Sequence, residues 1–121
     1  MTDRLAVEVV TSTSGEARLA MHGDVDIAAD DVLSAAYGEA AAAGATRIVL
    51  DFGAVDYINS TGIALIVGLL ARARATGLDV RAFGLSPHYR EIFEITRLAD
   101  FLAINPDEDS AVRGAEGSIN A

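Results

Sequence analysis

The chain has 121 residues, of which 51% are hydrophobic, and a formal net charge of −9, which fits one packed domain and argues against general disorder. All nine basic residues are arginine and there is no cysteine, so disulfides, thiolate nucleophiles, thiolate zinc sites, Schiff bases and a complete Walker-type phosphate loop are excluded. Scattered arginines facing 18 carboxylates count against nucleic acid or an anionic membrane as a partner.

In chain order, Leu5, Val7 and Val9 alternate with Arg4, Ala6 and Glu8, and Ala17, Leu19 and Met21 alternate with Arg18, Ala20 and His22. That is the period of half-buried strands, and Ser12-Thr13-Ser14-Gly15 between them predicts a hairpin. Residues 28 to 43 are alanine-rich, with Val32, Leu33, Ala36, Tyr37 and Ala40 at helical spacing and Gly44 as a stop. Arg47 to Phe52 has an unbroken apolar centre, which predicts a strand covered on both faces. A loop from Gly53 then leads into a helix over residues 61–76, which carries apolar Ile63, Ile66, Val67 and Leu70. Its small residues Ala64, Gly68, Ala71 and Ala75 read as close packing on a sheet. Leu78 to Phe83 is a further strand, and Ser86-Pro87 is an N-cap followed by proline at the first helical position of a helix to about Thr96. Phe101 to Ile104 reads as a last short strand, which closes a domain over residues 1–106, and residues 107–121 as a flexible polar tail.

Strands separated by helices lie parallel, so the expected fold is a single α/β domain, a mixed sheet of four to five strands opened by a hairpin and covered by three or more helices. Function in such folds sits at the carboxyl ends of parallel strands, which directs attention to the loop after Phe52. Asn59, Ser60 and Thr61 are capping residue types at the coming helix start. Asp24, Asp26 and Asp51 are the residue types of a magnesium or phosphoacceptor cluster, but without lysine they read better as a solvated loop acid (Asp24) and turn or cap acids (Asp26, Asp51). His22 and His88 are isolated, and Arg90 and Arg97 pair within their helix with Glu91 and Glu94. Ser60 has no Gly-x-Ser-x-Gly setting, so no catalytic residue, cofactor or metal is expected.

The run Asp51-Phe52-Gly53-Ala54-Val55-Asp56-Tyr57-Ile58-Asn59-Ser60-Thr61-Gly62 resembles the signature of the STAS family, named for sulfate transporters and anti-sigma-factor antagonists. Gly23-Asp24-Val25-Asp26 is similar to the family's Gly-Glu-Leu-Asp, and Ser86-Pro87 matches its last helix start, so the likeness covers about residues 5 to 105. It implies a bacterial, cytoplasmic antagonist that binds an anti-sigma factor, a serine kinase with a histidine-kinase-like ATPase fold, and releases a sigma factor. It further implies phosphorylation of Ser60, with Thr61 as the neighbouring alternative, and partner binding by Asp24, Asp26, Asn59, Ser60, Thr61, Gly62 and Ile63. Where the family has aspartate before the serine, this chain has Asn59, which keeps size and capping ability and removes one negative charge. The other reading is a non-phosphorylated scaffold or ligand-sensing module of the same family, and an exposed strand edge leaves a homodimer open.

Overall fold

A computed structural model describes residues 4–100 and 102–105. β1 (Ala6–Thr11) and β2 (Glu16–Val25) form the expected antiparallel hairpin. A one-turn 3-10 helix, Ile27–Ala29, leads into α1 (Asp30–Ala42), followed by β3 (Arg47–Ile58) and α2 (Ser60–Ala75). Then come β4 (Asp79–Phe83), α3 (Pro87–Ile95), a second 3-10 turn over Leu98–Asp100, and β5 (Ala103–Asn105). The strands lie in the order β1-β2-β3-β4-β5, parallel from β2 onward. The fold is thus the expected single α/β domain with a five-stranded mixed sheet and three helices. The tail expected over residues 107–121, like Phe101 of the last expected strand, lies outside the described residues.

The helices share one face of the sheet. Ile48, Leu50 and Phe52 of β3 and Val80 and Ala82 of β4 join buried residues of every helix in one core, and Phe52 meets Phe93 edge-on at 5.8 Å. On the opposite face Val49 and Phe83 form a separate pair. Burial at both parities of β3 agrees with its unbroken apolar centre, yet among the described residues helices cover one side.

Two expectations are corrected here. The segment Gly53 to Ile58 is strand rather than loop, because the last residues of β2 accompany it: Ala54 pairs with His22, Val55 with Gly23, Tyr57 with Asp24 and Ile58 with Val25. β3 gains an extra residue relative to β2 at two bulges, between Asp51 and Ala54 and between Val55 and Tyr57. Each bulge would turn the following side chains to the other face, and the second restores what the first shifts. Asp51 serves the first bulge by accepting the Gly53 N–H at 2.8 Å, and Gly23, with φ of 106°, supplies the backbone freedom at the second.

The small-residue stripe of α2 is the second correction. Ala64, Gly68, Ala71 and Ala75 are all exposed, and the helix packs inward through Gly62, Ile66, Leu69, Leu70 and Ala73. Of the apolar set predicted to share one side, Ile66 and Leu70 are buried, Ile63 is half-buried and Val67 is exposed. The larger side chains offer more apolar area to remove from water, so they take the sheet and leave the alanines outside.

Candidate functional site

The carboxyl ends of β2 and β3 and the start of α2 meet in one small region. The Asn59 N–H donates to the Val25 carbonyl at 3.2 Å, which carries the β2–β3 ladder one residue past the strand. Asn59 is the N-cap: it has extended backbone, and its Oδ1 accepts the Gly62 N–H at 2.8 Å. The Ile63 N–H then closes the first helical turn on the Asn59 carbonyl at 2.9 Å. Of the three capping types in sequence, asparagine therefore does the capping, and Ser60 and Thr61 are free to sit outside.

Ser60 is the first helical residue and exposed, as is Thr61. Neither hydroxyl makes a hydrogen bond among the described residues. Gly62 behind them is buried, and a Cβ there would overlap the Val25 carbonyl oxygen. This close approach is what the glycine is for: it presses the first turn of α2 onto the backbone of β2. Ile63 is half-buried against the core. The site is thus a rigid backbone corner with two hydroxyls projecting from it.

The candidate acids divide. Asp26 accepts the Ala28 N–H at 3.0 Å and caps the Ile27–Ala29 turn, as a turn acid should, while remaining half-buried beside the site. Asp24 is not the solvated loop acid expected from sequence. It lies within β2, between a bridge to Arg4 and its pairing with Tyr57, and is only 6% exposed. The lengthened ladder has drawn it into the sheet. Asp51 is committed to the bulge rather than to a cluster, and no group of three metal-binding side chains occurs among the described residues.

Sequence reasoning missed two members of this surface. Ile27 is 67% exposed and Tyr57 is 50% exposed, although both are large apolar side chains. Tyr57 lies two residues before the Asn59 cap, and Ile27 lies two residues after Val25, which holds that cap. In sequence Tyr57 fell in the loop expected after Phe52 and Ile27 just before the helix expected over residues 28 to 43, so neither was singled out. Exposed apolar side chains beside polar hydroxyls make a surface suited to protein contact.

Farther out, Tyr89 of α3 receives the Ile58 N–H on its hydroxyl at 3.0 Å, replacing the partner that β4 no longer provides. Gly84, with φ of 83°, lies against the backbone of Gly53. His22 and His88 are exposed. Arg90 pairs with Glu94 at 3.8 Å, but Arg97 leaves the helix in a left-handed conformation and pairs with Asp100 at 2.9 Å instead.

A family model described as "Mlab, STAS domain" matches residues 9–104. The anti-sigma factor antagonist BtrV of Bordetella bronchiseptica is 33% identical over 90 residues, which cover 74% of this chain and 75% of BtrV. The anti-sigma-B factor antagonist of Listeria monocytogenes is 32% identical over 71 residues, or 59% of this chain and 55% of that protein. Among solved structures, the anti-sigma factor antagonist SpoIIAA in its unphosphorylated form matches with a TM-score of 0.70 and 19% identity, over 93% of this chain and 99% of that one. Bacillus SpoIIAA in its phosphorylated form matches with a TM-score of 0.68 and 20% identity, over 89% and 98%. At these identities the structural likeness is one of fold. No helix among the described residues is long and apolar enough to cross a membrane.

Proposed function

This chain belongs to the STAS family, and we propose that it works as an anti-sigma-factor antagonist whose binding surface is the corner at the start of α2. The partner is an anti-sigma factor that is also a serine kinase of the histidine-kinase-like ATPase fold. Unmodified, the chain binds that factor in the cytoplasm and frees a sigma factor; with a phosphate on Ser60 it lets go. The names of BtrV and the Listeria relative support the partner class. The observation that carries the switch is the exposed Ser60, whose hydroxyl has no capping duty, on a backbone fixed from behind by Asn59 and Gly62.

The physics of such a switch follows from its position. A phosphoserine adds about −1.5 to −2 charges. At the first helical position those charges meet open backbone N–H groups and the positive end of the helix dipole, a gain of about 0.3–1 kcal/mol for an exposed anion. The fold therefore accepts phosphate without rearranging. A partner packed on Tyr57, Ile27 and Ser60 would instead have to desolvate the phosphate, at a cost of several kcal/mol. Asn59 fits this scheme, since it caps as aspartate would and adds no charge to the unmodified state. Asn59, Thr61, Gly62 and Ile63 shape the surface, and Asp26 borders it. Asp24 acts from beneath through the β2–β3 ladder.

Titration calorimetry against the anti-sigma kinases of the same genome tests this reading. The unmodified chain should bind one of them, and Ser60→Asp should weaken binding at least about tenfold, or 1.4 kcal/mol. With ATP present, that kinase should modify Ser60 and leave Ser60→Ala unmodified. Equal binding by Ser60→Asp, with no phosphate transfer, would favour the non-phosphorylated scaffold.

A further inference from the structure

Ser60 follows the far end of a strand that has lost one of its neighbours. β4 accompanies β3 only as far as Asp51 and Phe83, whereas β3 continues to Ile58. β2 follows that extension to its end, but along the other edge no strand lies beside it among the described residues. Two contacts there stand in for the missing strand. Gly84 lies against the Gly53 backbone where the extension begins, and the Tyr89 hydroxyl accepts the Ile58 N–H at 3.0 Å where it ends. Beside them is a hollow of about 120 Å³, lined by residues that include Gly53, Val55, Ile58, Gly84, Ser86 and Tyr89. A hollow supplies no van der Waals partners, so on this edge the hydrogen bond holds what packing does not. Tyr89 is itself fixed. Its N–H donates to the Ser86 Oγ cap at 3.3 Å, its side chain packs against the core, and the His88 ring meets its ring at 5.0 Å.

We propose that Tyr89 is a positioning residue for the Ser60 switch, an inference that rests on the function proposed above. Ile58 is joined directly to Asn59, whose N–H is held by the Val25 carbonyl and whose side chain caps α2. Tyr89 and Val25 therefore grip consecutive residues from the two edges of β3, and Ser60 comes next. The Ser86 cap of α3 and the Asn59 cap of α2 are joined through this one tyrosine. With both grips in place the Ser60 hydroxyl leaves the corner at one position and angle. With one grip lost, the end of β3 is free to tilt toward the hollow. A misplacement of about 1 Å is enough to slow a group transfer strongly, so the tilt acts on the transfer step. Ile27 sits on a separate turn and keeps its place in the docking surface, so recognition of the kinase suffers less.

Tyr89→Phe in the full chain keeps the ring and removes the acceptor. Amide hydrogen exchange read by NMR should quicken at least about tenfold at Asn59 and Gly62 as well as at Ile58, with the amides of β1 unchanged. In phosphate transfer from ATP to Ser60 by the anti-sigma kinase, kcat should fall about tenfold while KM changes less than about threefold. Tyr37→Phe is the control. It deletes another buried tyrosine hydroxyl, bonded to Thr76 at 3.2 Å at the opposite end of α2, and should alter neither readout. Unchanged exchange at Asn59 and Gly62 in Tyr89→Phe would overturn the proposal. So would faster exchange with an unchanged kcat, or an equal loss of kcat in Tyr37→Phe. A parent chain that no kinase modifies would refute the switch itself; exchange, which needs no partner, would still decide whether Tyr89 holds the corner.

Discussion

Two helices of this protein begin in the same way and put their serines to opposite uses. Each follows a parallel strand, β3 before α2 and β4 before α3, and each opens on a capped first turn. At α3 the serine is itself the cap: Ser86 Oγ accepts the Tyr89 N–H at 3.3 Å, with Pro87 next to it. At α2 Asn59 takes the cap, and Ser60 stands one position later with its hydroxyl turned to solvent. The difference is a single residue of phase, and it separates a serine whose hydroxyl holds a helix start from one whose hydroxyl makes no hydrogen bond among the described residues. A capping-type residue at a helix start therefore says little until it is known which of several candidates takes the backbone N–H.

The comparison can be broken in several places. The largest effect is expected at Gly62, where Gly62→Ala drives a Cβ into the Val25 carbonyl and should cost about 3 kcal/mol or more in urea unfolding. The α3 start has no such backbone pinning, and its cap sets its scale. Ser86→Ala and Asn59→Ala should each cost about 1 kcal/mol, whereas Ser60→Ala should stay within about 0.5 kcal/mol of the parent. If Ser60→Ala destabilised as much as Ser86→Ala, the two serines would be doing the same work. Gly68, with open space where a Cβ would go, should behave oppositely to Gly62, so that Gly68→Ala raises stability by about 0.5–1 kcal/mol. Smallest of all, Asn59→Asp should keep the cap and add about 0.3–1 kcal/mol at low salt, a gain that fades as salt screens the helix dipole.

What the sequence disclosed follows the range of the forces involved. The α3 start was legible because Ser86 and Pro87 signal it locally, each for its own reason. The hairpin, the succession of strands and helices along the chain and the Asn59-Ser60-Thr61 helix start were legible on the same ground. The true end of β3 was not: Gly53, Ala54 and Asp56 break the apolar alternation, and only pairing with the far end of β2 across two bulges makes them strand. That one non-local event also explains the rest. It draws Asp24 into the sheet and turns Tyr57 outward. Ala64 and Gly68 show a different limit, since a small side chain suits both a tight contact and an open surface, and nothing nearby in sequence decides between them.

The central claim is that Ser60, and not its counterpart Ser86, is the regulatory hydroxyl. Phosphosite mapping of the protein isolated from its own cells, in growth and under stress, tests it most directly. The account predicts a phosphate on Ser60 in one of those states and none on Ser86. A chain unmodified in both states, or one modified only at Ser86, would contradict it.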